Sequence, residues 1–187
     1  MIQGSEDWKE KRKNYITSTD AASIMGQNPW QTLEQIRCEK LDLAPEREKT
    51  AAMSKGLELE PQGRNWFFNH SGIVVEPKVL YKDFLMASLD GYSEKANCLL
   101  EIKCSKKTYD LALQGEIPMY YQCQIQHQLI TSGCIVAFYV AYWKDKGEIL
   151  SLKPDKAFQE EYMPKALEFY ESFIHARRQI LAERVVA

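Results

Sequence analysis

The sequence predicts an α/β fold of the α+β type, in which a central mixed β-sheet is flanked by helices. Three observations favour this fold. Apolar residues recur at helical spacing before residue 72, short β-rich segments follow up to residue 103, and a helix, a second group of strands and a closing helix complete the chain. The 187 residues contain no repeat, Ser/Gly-rich linker or low-complexity stretch, so we expect one domain spanning residues 1–187.

The composition is typical of a globular protein. Hydrophobic residues make up 45% and charged residues 27% of the chain, which excludes disordered and fibrous classes. The longest apolar run, Cys134 to Trp143, has about ten residues, half of what a membrane-spanning helix needs. The first residues lack the apolar core of a secretory signal, and the five cysteines are scattered without a C-x-x-C pair, so we expect reduced thiols in an intracellular protein. Because the net charge is −2, nucleic-acid binding would require a local basic patch.

The first predicted helices are short. Residues 17–20 offer several N-caps for a helical stretch over residues 21–25, and Asn28 and Pro29 end that stretch. Apolar residues then recur at helical spacing from Thr32 to Leu43.

Two longer helices are predicted, each with an internal proline. The first runs from Ala51 to His70 and ends at Gly72. Pro61 lies inside it, which predicts a kink or a restart. The closing helix begins near Asp155 and is expected to be interrupted at Pro164.

Between these helices the periodicity changes to that of strands. Three short segments bounded by turn residues are predicted to be neighbouring strands: Ile73–Tyr81, Phe84–Leu89 and Cys98–Lys103. Lys107–Gln114 and Met119–Ser132 are predicted helices. The apolar segment Cys134–Tyr142 is predicted to be a central strand that pairs as a hairpin with Gly147–Leu152.

One cluster of residues on these strands carries chemistry. Side chains alternate along a strand, so Glu101 and Lys103 point to one face and Ile102, among apolar neighbours, points to the core. Asp90 is expected at the end of the preceding strand, before a turn at Gly91. A hairpin there would bring Asp90 beside Glu101.

This arrangement predicts a hydrolytic centre for phosphodiesters. Two close carboxylates in a weakly solvated site repel each other, and a hard divalent cation such as Mg²⁺ or Mn²⁺ relieves the repulsion. Such a cation lowers the pKa of bound water and stabilises charge on a phosphate, while a nearby lysine orients the water. Glu-x-Lys also occurs on solvated strand faces, so the pattern alone leaves that alternative open.

Further polar residues lie outside the strands. Glu60 is a carboxylate on the predicted helix upstream. Downstream, glutamines occupy positions 122, 124, 126 and 128, and on a helix Gln124 and Gln128 share a face. The alternative interpretation of the glutamines is a solvated helix side.

Five motifs follow one another along the chain. They are W-x-x-x-R-x-x-x-I-T-[AS]-[ST]-[DE] at Trp8–Asp20, G-x-x-x-E at Gly56–Glu60, A-S-x-D-G at Ala87–Gly91, L-E-I-K-C at Leu100–Cys104 and Q-[IV]-Q at Gln124–Gln126. In this ordered set the chain resembles the lambda-type alkaline exonuclease family, also described as YqaJ-like viral recombinases, within the PD-(D/E)XK nuclease superfamily. The resemblance extends from Trp8 to Trp143 and implies a restriction-endonuclease-like core.

The resemblance implies a metal centre that uses Mg²⁺, with Mn²⁺ as a possible substitute. Asp90 and Glu101 would be the central metal ligands. The backbone carbonyl of Ile102 would be a further oxygen ligand, and Glu60 would hold or support a second metal position.

The resemblance also implies roles in catalysis and in DNA-end recognition. Lys103 would contact the attacking water, and Gln124 would line the same site. Three residues match positions that in this family hold the terminal 5′-phosphate: Arg12, Thr19 and Ser88. A guanidinium and two hydroxyls are suitable phosphate donors.

Two positions depart from the family pattern. Ser105 replaces the usual proline, and Tyr109 stands where the lambda-type enzyme has an arginine that helps to separate the strands. Tyr109 could instead stack on a base, and Lys107 could contact phosphate. Tyr121, one helical turn from Gln124, is a further candidate for DNA contact, so the strand-separating residue stays open.

The function implied by the resemblance is a 5′→3′ exonuclease on double-stranded DNA. It would release 5′-mononucleotides and leave a 3′ overhang for a single-strand annealing protein in phage-type recombination. A ring-shaped homotrimer in the cytoplasm of a bacterial host or phage-infected cell, with no membrane association, is also implied. The alternatives are a structure-specific endonuclease and a non-catalytic DNA-end-binding module. Iron–sulfur exonucleases need a late cysteine cluster, which is excluded because the last cysteine is Cys134.

Other reactive residues are expected to be structural or stay unassigned. His127 is not expected to be a metal ligand, and Cys104 is expected to be a buried, inert thiol. Three arginines of the closing helix fit trimer packing, partner docking or DNA binding equally well: Arg177, Arg178 and Arg184.

Overall fold

A computed structural model describes residues 3–44 and 50–186 and shows a six-stranded mixed sheet with helices on both faces. The helices and strands in chain order are α1 (Glu6–Arg12), β1 (Ile16–Thr17), α2 (Ala21–Ile24), α3 (Leu33–Lys40), α4 (Ala51–Ser71), β2 (Glu76–Lys82), β3 (Leu85–Ser93), β4 (Cys98–Lys103), α5 (Lys106–Ala112), α6 (Met119–Ser132), β5 (Val136–Trp143), β6 (Lys146–Leu152) and α7 (Lys156–Val186). The predicted fold class is confirmed.

The sheet has the strand order β1-β3-β4-β5-β6, and β2 pairs with β3 outside this path. The β1–β3 and β4–β5 pairs are parallel, whereas the other pairs are antiparallel. Because β2 occupies one edge of β3, the strands β1 and β4 share the other edge, at Leu85–Met86 and Gly91–Ser93 respectively. The intervening residues of β3 therefore face an opening in the ladder, where polar side chains can gather.

The sheet is enclosed by two helical layers. Leu100 on β4 packs in one buried cluster with Phe67 of α4, whereas Leu99 packs in another with Ile125 of α6. These neighbours point to opposite faces because side chains alternate along a strand. A third cluster joins α2, α3 and α7 around buried side chains such as Phe173. This third cluster supports the N-terminal segment that runs up to the sheet.

Both internal prolines lie within continuous helices, so the predicted restart at Pro61 and the predicted interruption at Pro164 are wrong. α4 continues through Pro61 and α7 through Pro164. An internal proline costs about 3 kcal/mol in a helix. Side chains on both sides of each proline pack into one cluster, as Tyr162 and Phe169 of α7 do. A break would lose that packing, which outweighs the local cost.

Other local predictions are confirmed in most cases. The predicted bounds of α6 agree with the structure. The strand β5 is central, as predicted, since it lies between β4 and β6, and β5 and β6 form the predicted hairpin. Asp20, one of the predicted caps at residues 17–20, is the N-cap residue of α2. Its side chain makes no capping hydrogen bond and instead accepts hydrogen bonds from the Thr17 amide and Lys40. None of the helices in the described ranges is long and apolar enough to cross a membrane.

Candidate active site

Asp90 lies inside β3, so the predicted turn at Gly91 is wrong. Gly91 pairs with Leu100 of β4. On its other side β3 contains a bulge against β2, because the three residue steps from Leu89 to Tyr92 lie opposite only two residue steps of β2, from Lys78 to Glu76. Such a bulge re-aims neighbouring side chains. A Cβ at residue 91 would lie 2.6 Å from a methyl carbon of Val75, so this close approach requires glycine.

Glu101 is the hub of the polar site. The predicted face is confirmed, because Lys103 Nζ lies 2.5 Å from Glu101 Oε1 while Ile102 is buried in the opposite cluster. Gln124 Nε2 donates to the same oxygen at 2.7 Å, and Gln128 Nε2 donates to Oε2 at 2.6 Å. Only 2% of Glu101 is exposed. Each of its two oxygens is thus held by at least one side-chain donor.

Asp90 faces Glu101 across the two strands. Its Oδ2 accepts a hydrogen bond from the Ile102 amide at 2.8 Å, and its backbone carbonyl accepts one from Arg64 Nε at 2.7 Å. Burial raises the pKa of Asp90 well above its ordinary value, and the charges of Glu101 and Glu60 raise it further. The carboxylates of this site therefore repel one another.

Glu60 reaches the site from α4. Burial raises its pKa, and the charge of Glu101 adds to this effect. One turn further along α4, Arg64 contacts Asp90. The helix packs tightly over β4, since a Cβ on Gly63 would lie 2.8 Å from a methyl carbon of Ile102. This contact places Glu60 and Arg64 of α4 beside Glu101 and Asp90 respectively.

Lys103 and Cys104 differ in their charge. Burial lowers the pKa of Lys103, but attraction to Glu101 outweighs it, so the pKa of Lys103 is raised and the ammonium stays charged. Burial raises the pKa of the Cys104 thiol to about 12. Cys104 is half-buried against the cluster that contains Ile102, so the predicted full burial is wrong, whereas the raised pKa agrees with an inert thiol.

The donor chemistry of the site fits a hard divalent cation. Within residues 3–44 and 50–186, no three His, Cys, Asp or Glu side chains form a group that could hold a metal ion, so Glu60 does not complete a three-carboxylate site with Asp90 and Glu101. Asp90 and Glu101 present carboxylate oxygens, which are the donor type that such a cation prefers. Beside them, Gln128 Oε1 is buried and has no hydrogen-bond partner in the described part of the chain.

The glutamines of α6 divide into two sets. Gln124 and Gln128 bind Glu101, whereas Gln126 binds the Lys153 carbonyl and the Asp155 amide. The solvated-face alternative is therefore wrong for these residues, which bind protein groups. Gln128 was not singled out as a site residue from the sequence, although its i,i+4 spacing from Gln124 carried the signal.

The three residues predicted to hold a phosphate belong to adjoining segments. Trp8 Nε1 donates to Ser88 Oγ at 2.9 Å, and the guanidinium of Arg12 lies 4.8 Å from the centre of the Trp8 ring. The hydroxyls of Thr17 and Thr19 are 3.1 Å apart. β1 pairs with β3 just before Ser88. The structure thus connects Arg12 to Ser88 through Trp8. Ser88 lies two residues before Asp90 on β3, whereas Thr19 lies in the segment that follows β1.

The three candidate DNA contacts differ in position. Lys103 Nζ lies 4.6 Å from the centre of the Tyr121 ring, so Tyr121 borders the site. Tyr109 packs against the buried cluster between α6 and the sheet. Lys107 is exposed on α5.

Two other residues have structural roles. His127 is buried between the Tyr162 hydroxyl, at 2.7 Å, and the Met86 carbonyl, at 3.0 Å. Arg177 is 2% exposed and bonds to Asp42 and to Glu10. Arg177 is therefore internal to the chain, which excludes the surface roles considered for it, while Arg178 is exposed. The Arg184 side chain lies outside the described residues.

Comparisons with known proteins agree with this architecture. A sequence profile of the YqaJ-like viral recombinase domain matches residues 7–135. LHK-Exo, an alkaline exonuclease from Laribacter hongkongensis, has a similar fold, with a TM-score of 0.78 and 21% identity over 97% of this chain and 98% of that chain. The LHK-Exo complex with dAMP gives a TM-score of 0.79 and 20% identity over the same shares.

A phage-related exonuclease from Haemophilus somnus 129PT is also similar, with a TM-score of 0.66 and 15% identity over 91% of this chain and 96% of that chain. At these identities the likeness establishes a shared fold. A comparison with curated protein sequences finds no match.

Proposed function

Because the chain belongs to the YqaJ-like viral recombinase domain family, we propose that it is a Mg²⁺-dependent exonuclease that resects double-stranded DNA ends in the 5′→3′ direction. It releases 5′-mononucleotides and leaves a 3′ single-stranded overhang for a single-strand annealing protein. One observation carries the proposal: Asp90, Glu101 and Lys103 meet in one polar site at the junction of β3 and β4.

The proposed metal ligands are Asp90, Glu101 and the Ile102 carbonyl, with Glu60 supporting a second position from α4. When bound, Mg²⁺ or Mn²⁺ supplies an acidic water and positive charge for the reacting phosphate. Repulsion from Glu101 and Glu60 adds to burial in raising the pKa of Asp90, and a bound dication would relieve that repulsion. The carboxylates are already held in place by the backbone amide of residue 102 and by the glutamines of α6.

Lys103 is the proposed residue for orienting water and neutralising developing charge. Its ammonium stays protonated beside Glu101 and is partly exposed, so it can reach a bound phosphate. Gln124 lines the same site and fixes one oxygen of Glu101. Tyr121 closes the space over the Lys103 ammonium.

End recognition is proposed for Arg12, Thr19 and Ser88. Arg12 is ordered by stacking on Trp8, which is itself hydrogen-bonded to Ser88. An ordered guanidinium with nearby hydroxyls binds a terminal phosphate with little loss of side-chain entropy. Ser88 and Asp90 are only two residues apart on β3. A terminal phosphate bound at Ser88 would therefore lie close to the phosphodiester bond that reacts at Asp90.

The test uses a linear duplex with a separate label on each strand and with 5′-phosphate or 5′-hydroxyl ends. We expect Mg²⁺-dependent release of mononucleotides from the 5′-phosphorylated strand and none in EDTA. A closed circular duplex run alongside should stay intact. Cutting of the circle would support a structure-specific endonuclease instead. DNA binding in Mg²⁺ without release would support a non-catalytic end-binding module.

A homotrimeric ring around the DNA is part of the proposal. A ring would let a chain with a net charge of −2 enclose DNA, provided that its basic residues line the channel. Analytical ultracentrifugation should then give three times the chain mass, and digestion should be processive when excess competitor DNA is added. A monomer with the same activity would contradict the ring and leave the exonuclease proposal intact.

A further inference from the structure

Lys40 is a buried charge that the proposed chemistry does not use. It ends α3 and is 5% exposed. Its Nζ lies 2.7 Å from the Tyr15 carbonyl, 3.4 Å from the Arg12 carbonyl and 2.8 Å from Asp20 Oδ2. An ammonium has three N–H donors. All three are therefore directed at one short stretch of backbone and its carboxylate.

Asp20 closes the turn that carries Thr19. Its Oδ2 accepts a hydrogen bond from the Thr17 amide at 2.8 Å, and its own amide donates to the Thr17 carbonyl at 2.9 Å. The same Oδ2 binds Lys40. The ion pair thus ties the end of α1, where Arg12 lies, to the turn that presents Thr19.

We propose that the Asp20–Lys40 ion pair positions residues 12–19 for binding a 5′-phosphate, so that both are positioning residues for end recognition. The inference rests on the proposed function, since it assigns how that phosphate site is built. Neither residue touches the phosphate. They act by setting the distance between the guanidinium of Arg12 and the hydroxyl of Thr19.

A second layer holds the pair in place. Arg177 of α7 donates to the Lys40 carbonyl at 2.8 Å and to Asn14 Oδ1 at 3.0 Å, inside the same segment. Phe173 of α7 lies beneath the Lys40 ammonium. The closing helix therefore supports the end-binding residues from behind.

Energetics favour positioning over stability as the role of this pair. Burying two charges costs desolvation energy that their attraction only partly recovers, and apolar replacements of similar size are often as stable. Removing one partner alone leaves an unpaired buried charge and is strongly destabilising. A paired replacement therefore separates the two roles.

The test compares the parent chain with the paired variant Asp20→Asn/Lys40→Met. KM and kcat are measured in Mg²⁺ on duplexes with 5′-phosphate and 5′-hydroxyl ends, together with the melting temperature. We expect the KM preference for the phosphate to fall about tenfold, the effect of losing one hydrogen bond to a charged group. The paired variant should change KM for phosphorylated ends more than kcat. The single variant Asp20→Glu keeps the charge beside Lys40 and should retain most of the phosphate preference.

Two further variants keep the test decisive. Val136→Ala, which removes packing at the far end of β4, controls for general destabilisation and should keep the preference. Lys40→Arg retains the charge and so avoids an unpaired buried carboxylate. A planar guanidinium does not match the same three acceptors, so this variant should also lose the preference.

The outcomes separate the proposed end recognition from the positioning role of Asp20 and Lys40. A parent without any phosphate preference would contradict the proposed end recognition itself. A parent with the preference, and folded Asp20 and Lys40 variants that keep it, would overturn the positioning role alone.

Discussion

The Asp90 carboxylate lies opposite Ile102 and accepts its amide hydrogen bond at 2.8 Å, in place of a carbonyl of a neighbouring strand. This one contact orients Asp90 toward Glu101, the residue before Ile102. Two buried acids are thereby held on adjacent strands of the β3–β4 hairpin, whose turn lies at residues 94–97 rather than at Gly91. Their proximity raises the pKa of Asp90 beyond the effect of burial and defines the candidate metal centre.

Asp90→Asn separates catalysis from stability. The amide keeps an acceptor for the Ile102 amide but removes a charge that the folded state disfavours. We expect nuclease turnover to fall by at least about a hundredfold, while the melting temperature in EDTA stays equal or rises. The matched control is Asp83→Asn, an exposed turn residue with φ of 53°, where asparagine is well tolerated. Near-parent activity of Asp90→Asn would refute the assigned role.

Gln128→Met tests the hydrogen bond from Gln128 Nε2 to Glu101 Oε2. Loss of the donor to Oε2 frees one oxygen of Glu101, so we expect kcat to fall about tenfold with a smaller change in KM. Gln122→Met, on the same helix, removes only a bond to the Ile117 carbonyl and should retain activity. Equal losses in both variants, measured by single-turnover digestion, would show that the effect is general to α6.

Arg12→Ala tests the end-binding contact. We expect an increase in KM of about tenfold on 5′-phosphorylated ends, as for a lost charge-assisted hydrogen bond. Ends with a 5′-hydroxyl should be affected much less. Lys11→Ala removes a neighbouring exposed charge that lies near the Tyr81 ring and serves as the control. An equal loss on both kinds of end would remove the role assigned to Arg12.

His127 predicts an acid-dependent loss of stability. Burial lowers its pKa from 6.5 to about 4. Between these values the unfolded chain binds a proton that the folded chain does not, so the free energy of unfolding falls as the pH falls. The full effect is about 3 kcal/mol and is absent above pH 6.5.

The measurement is guanidinium unfolding at pH 7 and pH 4.5 for the parent, His127→Gln and His175→Gln. Asp90 and Glu60, with raised pKa values, act in the opposite direction, so only the difference between parent and variant is informative. The parent and His175→Gln, an exposed position, should lose more stability on acidification than His127→Gln. Identical losses in all three would contradict the assignment.

Local patterns in the sequence were sufficient for much of the fold. Helical spacing located α6, and the alternation of side chains along β4 placed Glu101 and Lys103 on one face, because both signals depend only on neighbours in the chain. The ordered motifs identified the family. Their shared phosphate and metal roles remain predictions, although the structure connects Arg12 to Ser88 through Trp8.

Tertiary structure decided what depends on distant partners. Pro61 and Pro164 remain inside helices because packing outweighs their local cost, and residue 91 must be glycine because Val75 and Leu100 approach it. The Asp20–Lys40 pair joins residues 20 positions apart, a relationship that no periodicity encodes. By itself the sequence determined the family, the sheet-and-helix pattern and the acidic cluster. Only the folded chain decided which side chains hold that cluster and its phosphate segment in place, because those contacts form between segments that are remote in the chain.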